Sequence, residues 1–354
     1  MRSRWVSVVA LVVLAVVAGA GVALSRVPRT TPTVATALAS MPAETVTASV
    51  TDWRGARTML DAEGAALLDR AYETDLSAVS VLGDMAPEMR GPYGWTVLDA
   101  QWEGLAQSQR GAAIVVQMPP GFDLDVVRDG LAEAGYTEPF DSDGVWRGGA
   151  DLVARIDGSL TPLMAHAAVL DDSRRVVFSD NAPYVSRTVE VIEGSRPPLA
   201  QDESVDAVGD RIEGAAATVL HVGRRGCQVM GFGSTSPDDQ ALARQRLAAV
   251  GGVTRHQSVA LALMPGLSGG ASRSPLLVAM HFDDTSELAG EGERRAALAV
   301  GDAPGQGDTY GSRFSVASSV QRGGDVVLRL RPREPDAQLL SDLNFGALLF
   351  AACP

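Results

Sequence analysis

Ala112–Gly135 reads AAIVVQMPPGFDLDVVRDGLAEAG, and the order of its two parts decides the fold class. Ala112–Met118 is a short unbroken apolar run, the pattern of a strand buried on both faces. Pro119-Pro120-Gly121 stops it. Asp123 then caps a helix whose Leu124, Val127 and Leu131 share one face, and Gly135 supplies the C-terminal stop. Downstream, Val145-Trp146 and Leu152–Ile156 read as weaker strands. Ala167–Leu170 and Arg174–Phe178 flank Asp171-Asp172-Ser173 as a hairpin. A helix over Pro183–Glu193 closes on Gly194, and Pro197-Pro198 opens an acidic linker.

The second half of the chain repeats this order. Thr218–Val222 predicts a strand. Ser236-Pro237-Asp238-Asp239 predicts a helix start, with a hydroxyl cap, proline in the first turn and acids where the dipole is positive. That helix runs to Val250; Ser258–Met264 and Leu276–Phe282 are strands, and Thr285–Val300 is helical. Phe314–Gln321 and Asp325–Arg331 form a hairpin about Gly323-Gly324, and Asp336–Leu349 is a last helix that delivers Cys353. Strand–helix–strand–strand–helix thus occurs twice, near Ala112–Gly194 and Thr218–Gly301. Helices packed on mainly antiparallel sheets give an α+β architecture, expected as two ferredoxin-like units side by side.

Ahead of the units, Asp52 caps the first of three helical stretches, over Trp53–Leu60, Ala65–Tyr72 and Leu76–Met89. Further upstream, Val6–Leu24 (VSVVALVVLAVVAGAGVAL) is a run of 19 uncharged residues. About 20 apolar residues span the hydrocarbon core as a helix. Arg2 and Arg4 precede the run and favour a cytoplasmic N-terminus. The expected organisation is a cytoplasmic tail at 1–5, a transmembrane anchor at 6–24 and a Thr/Pro/Ala-rich stalk at 25–46. A helical segment at 47–93, a first α+β unit at 94–200 and a second at 201–354 complete it. Ala18-Gly19-Ala20 offers the alternative of a cleaved signal peptide and a secreted protein. Either way the body lies outside the cytoplasm, and the membrane, through Val6–Leu24, is the expected partner.

All 30 basic residues among the 354 are arginine. With abundant Ala, Val and Gly, this reflects GC-rich coding and says nothing about phosphate binding. Residues 1–30 contribute +4 to the net charge of −13, so the rest carries −17. Such a body repels nucleic acid, whose binding rests on neutralising phosphates, and no nucleic-acid partner is expected. The two cysteines, Cys227 and Cys353, form a disulfide in an oxidising compartment, closing a loop of 126 residues. Two sulfurs without a histidine near them in sequence make a poor zinc site.

No string carries a catalytic, cofactor or metal assignment. Gly266-Leu267-Ser268-Gly269-Gly270 matches G-x-S-x-G, but the pattern needs a strand before the serine and a helix after it. A glycine–serine loop follows instead, and the only later histidine, His281, has no acid between it and Ser268. His281 and Asp283 share a strand face yet lack a third ligand. Asp141-Ser142-Asp143-Gly144 is a turn that lacks the remaining ligands of a calcium loop. His166, His221, His256 and His281 read as surface or satisfied core residues. Trp53, Trp95, Trp102 and Trp146, all in the first half, read as core.

Thr51-Asp52-Trp53, Gly94-Trp95 with Trp102-Glu103, Leu340-Ser341-Asp342-Leu343 and the ending Phe350-Ala351-Ala352-Cys353-Pro354 give the chain a general character. It resembles uncharacterised secreted or membrane-anchored cell-envelope proteins of GC-rich actinobacteria. The resemblance implies a cell-envelope location and no activity, so no site residue follows from it. The expected role is a non-enzymatic extracytoplasmic binding or interaction module. The alternatives are a cell-envelope serine hydrolase using Ser268 and a small-ligand sensor with a groove between the two units.

Overall fold

The computed structural model describes residues 33–266 and 274–354. The expected tail and anchor, with Val6–Leu24, lie outside the described residues. Among those described, no helix is long and apolar enough to cross a membrane.

The strands are β1 (Thr47–Thr51), β2 (Trp102–Ser108), β3 (Gly111–Gln117), β4 (Trp146–Arg147), β5 (His166–Leu170), β6 (Arg175–Ser179), β7 (Ala217–Val222), β8 (Ser258–Leu263) and β9 (Leu276–His281). They continue with a small ribbon of β10 (Asp302–Ala303) and β11 (Asp308–Thr309), then β12 (Phe314–Arg322) and β13 (Asp325–Pro332). Apart from the ribbon, all join one eleven-stranded sheet in the order β12-β13-β9-β8-β7-β1-β2-β3-β6-β5-β4. The order contains a repetition. Beginning at the centre, β1-β2-β3-β6-β5 runs one way and β7-β8-β9-β13-β12 runs the other with the same internal sequence. The halves meet where β1 pairs antiparallel with β7, Thr47 opposite His221, Ser49 opposite Val219 and Thr51 opposite Ala217. That pairing is symmetric about Ser49 and Val219.

Mixed α+β content and a mainly antiparallel sheet follow the sequence reading. The ferredoxin-like arrangement does not appear in the ladders. A split βαβ needs two parallel strands, whereas each half here lays its first three strands side by side and antiparallel.

The helices are α1 (Thr33–Leu38), α2 (Trp53–Leu60), α3 (Gly64–Glu73), α4 (Ala86–Tyr93), α5 (Asp125–Glu133), α6 (Ala150–Ile156) and α7 (Ala182–Ile192). After them come α8 (Glu203–Ile212), α9 (Arg224–Met230), α10 (Pro237–Ala249), α11 (Glu291–Leu298), α12 (Tyr310–Arg313) and α13 (Leu339–Asn344). Strand periodicity sorts them into two layers. Ile114, Val116, Val219, Leu261 and Val278 point into a core shared with α2–α6 and α9–α13. Their neighbours Val115, Leu220, Ala260 and Leu277 point the other way, onto α1 and α8. Beside that second core, Val177 meets Tyr184 and Val185 of α7. The result is helix, sheet, helix.

Several local readings are corrected. Thr33–Leu38, inside the expected stalk, is a helix that buries Val34, Ala37 and Leu38, because its apolar face closes the second core. The expected helical segment opens on strand β1, ahead of its cap at Asp52. Leu152–Ile156, expected as a strand, lies in α6. The acidic linker contains α8, where Asp202 accepts from the Ser204 and Val205 amides and Val205, Val208 and Ile212 form one buried face. Gly323 does occupy the turn of the β12–β13 hairpin, with φ +56.

Two buried carboxylates stitch the segment after α3 into place. Asp75 accepts from the Leu340 and Ser341 amides and from the Ser341 hydroxyl, fixing the start of α13. Glu103 on β2 accepts from the Val81 and Leu82 amides at 2.7 and 2.9 Å, from the Ser80 hydroxyl and from Trp53 Nε1. Burial pushes both carboxyls up from their ordinary range, and the converging donors oppose that push. A glutamine at position 103 would turn an amide NH2 towards groups that themselves donate. Glu103→Gln is therefore expected to lower unfolding free energy by about 1–3 kcal/mol, measured by urea denaturation.

Candidate functional site

The midline of the sheet departs from apolar patterning. On the face carrying the larger core, register places Gln107, Thr47 and His221 in one row across β2, β1 and β7, and Leu105, Ser49 and Val219 in the next. Elsewhere on this face the strands show Ile114, Val116, Val259 and Leu261. Here the helical layer parts, leaving a cavity of about 580 Å³ floored by the two rows. Ala78–Ser80 form one wall, the segment held by Glu103. Arg225 and Val229 of α9, Ser234-Thr235 and Asn344–Ala347 form the rest. A second cavity of about 800 Å³ shares Thr47, Gln107 and Arg225 and continues past the strand ends to Glu44 and Arg224. Together they make one groove along the seam between the halves.

His221 is the group most exactingly placed in it. Its side chain belongs to a residue only 4 % exposed, and Nδ1 lies 3.2 Å from the Thr47 hydroxyl. Nε2 is buried without a hydrogen-bond partner. Burial, helped by the nearby Arg225 cation, lowers its pKa to about 4, so the ring is neutral at physiological pH. Ser49 spends its hydroxyl on the Val79 carbonyl at 3.0 Å. Phe345 stands at the rim, 82 % exposed.

The positions singled out from sequence fall elsewhere. Ser268 lies outside the described residues; β8 and β9 on either side of it form an antiparallel pair. His281 Nδ1 contacts Asp325 at 2.7 Å, and Arg211 pairs with the same carboxylate at 2.8 Å. Ser258 lies opposite His281 on β8 but donates its hydroxyl to the Ser204 carbonyl at 2.7 Å, so this row ties β8, β9 and β13 to α8. Asp283 reaches only 3.7 Å from His281 Nε2. Asp141–Asp143 form an exposed turn closed by the Gly144 amide on the Asp141 carbonyl.

Cys227 on α9 and Cys353 are joined, with Cα atoms 5.2 Å apart. A histidine does lie beside them, brought there by the fold. His256 Nε2 is 3.6 Å from Cys353 Sγ and donates to the Ala351 carbonyl at 2.9 Å. Among the described residues this is the one cluster with metal-ligand spacing, and the sulfur–sulfur bond occupies both thiols. Burial above all lowers the His256 pKa to about 3. A base kept neutral in the folded state takes its proton first in the unfolded chain. Its contribution is therefore intact above pH 6.5 and is lost as pH falls towards 3. Integrated from pH 6.5 to 5, the loss from this histidine is expected to be about 1.6 kcal/mol, and the whole protein's loss correspondingly smaller in His256→Asn, as read from urea midpoints at each pH.

Sequence reasoning missed Thr47, Gln107 and His221 as a group. The available signal was polar residues alternating with apolar ones in T-A-S-V-T, and a single polar residue ending each of the otherwise apolar L-A-Q and V-L-H. No family model, curated protein or solved structure matches the chain.

Proposed function

We propose that this chain is a membrane-anchored, extracytoplasmic, non-enzymatic binding module that takes a small ligand in the midline groove. The observation carrying this reading is His221. It lies with Thr47 and Gln107 on the floor of a ligand-sized cavity, a polar row on a face whose strands elsewhere are apolar. A base with a pKa near 4 is poorly matched to taking a proton from the Thr47 hydroxyl at neutral pH, which favours recognition over catalysis. The uncharged Val6–Leu24 run behind Arg2 and Arg4, and the cystine, support the extracytoplasmic placement.

The test is thermal denaturation against a broad panel of cell-envelope metabolites, with His221→Phe filling the groove. A ligand at about 100 times its Kd adds about 2.7 kcal/mol to stability. At least one compound is expected to raise the midpoint of the wild type and leave His221→Phe unmoved. Silence across the panel, or equal shifts in both proteins, would overturn the reading.

A further inference from the structure

The groove is electrostatically out of character with the chain. The protein carries 43 acidic residues against 30 arginines, yet the described lining of the 580 Å³ cavity contains no carboxylate and one fixed charge, Arg225. Arg224 and Arg225 are both exposed and form no ion pair among the described residues. The adjoining cavity holds a single acid, Glu44, which is already engaged by Arg187 at 3.1 Å. Two neighbouring cations without local compensation make a positive field at the mouth of the groove, inside an otherwise repulsive surface for anions.

The floor supplies a second element. The neutral His221 ring lies with Nδ1 3.2 Å from the Thr47 hydroxyl, and Gln107 completes the row, so the floor is polar and carries no negative charge. Around it Leu105, Val219 and Val229 offer apolar surface, and Phe345 overhangs the rim.

On the reading that the groove is a ligand site, we propose that its ligand is a small carboxylate with an apolar body. The carboxylate pairs with the Arg225 guanidinium beside the uncharged floor of Thr47, Gln107 and His221, while the body covers Leu105, Val219 and Val229. The charge-assisted contact to the guanidinium selects the anion, and the apolar lining selects against a bare inorganic ion.

Titration calorimetry of the full chain with hexanoate, hexanamide and inorganic phosphate tests this. Hexanoate is expected to bind and hexanamide to bind at least about tenfold more weakly. Arg225→Gln, an exposed change, is expected to weaken hexanoate by about tenfold and leave hexanamide unaffected. Equal affinity for hexanoate and hexanamide, both abolished in His221→Phe, would overturn the anion while keeping the groove. Tighter binding of phosphate than of hexanoate would overturn the carboxylate class. Failure of all three probes to show any His221-dependent binding would overturn the inference and the groove together.

Discussion

Replacing Arg295 with methionine is expected to lower the unfolding free energy by about 3–5 kcal/mol, the range for breaking one side of a buried ion pair. Arg295 and Glu291 are both fully buried, one turn apart on α11, and meet at 2.7 Å. The guanidinium also donates to the Phe350, Ala352 and Thr254 carbonyls, at 2.9, 3.2 and 2.6 Å, and lies 5.3 Å from the Phe282 ring. Burial lowers its pKa to about 10, against the pull of Glu291, so it remains a cation. Its loss strands a carboxylate and three carbonyls at once. Arg294 and Thr254, which also contact Glu291, soften the blow without reaching those carbonyls. Urea denaturation of Arg295→Met measures the effect; a loss under about 1 kcal/mol would show that the tail is not held this way. The double variant Arg295→Met/Glu291→Leu is expected to recover part of the loss, since the stranded charge is gone and the carbonyls remain unpaired.

Removing the cystine, as Cys227→Ser with Cys353→Ser, is expected to cost about 2–5 kcal/mol, the upper end being the chain-entropy figure for a loop of 126 residues. This effect acts mainly on the unfolded chain. The folded tail keeps other ties: Arg295 to Phe350 and Ala352, His256 to Ala351, the Leu348 amide to the Met230 carbonyl at 3.0 Å, and the Leu349 amide to Tyr310 Oη at 3.1 Å. The urea m-value should rise, because an uncrosslinked unfolded chain exposes more surface. Native-state hydrogen exchange at residues 348–352 should change little. Loss of that protection would make the bond the tail's principal anchor.

How much of this was legible before the fold was known depends on which elements are asked about. Ala112–Met118, Ser258–Met264, Leu276–Phe282 and the Gly323-Gly324 hairpin announced themselves, because each fits a continuous apolar run or a turn that needs glycine. Ser236-Pro237 marked the start of α10, and its hydroxyl does accept from the Asp239 amide. Pairing the two cysteines needed only their number and the expectation of an oxidising compartment. The misreadings share a physical cause. Thr47–Thr51 alternates polar and apolar residues, but its polar side faces a groove instead of water, and Asp52 behind it drew attention to the helix. The pairing of β1 with β7 joins residues 166 to 174 apart, a contact that local periodicity does not encode. Because that seam is where the site forms, His221 looked like any strand histidine. His256 looked equally ordinary until the fold set it beside Cys353.

Trp53 and Glu103 belong to the strings that gave the chain its general character, and so does Ser341. In the structure Trp53 and Glu103 hydrogen-bond to each other, and Ser341 holds Asp75. All three fasten the segment that walls the groove. Their role is to shape the seam between the halves.

The central claim is that this seam binds a small ligand. Hydrogen–deuterium exchange of the full chain, with and without millimolar hexanoate, tests it most directly. The account predicts added protection confined to the groove walls, at residues 78–82, 225–235 and 344–347, with the outer strands β5 and β12 unchanged. Protection appearing elsewhere, with the walls exchanging as before, would contradict it.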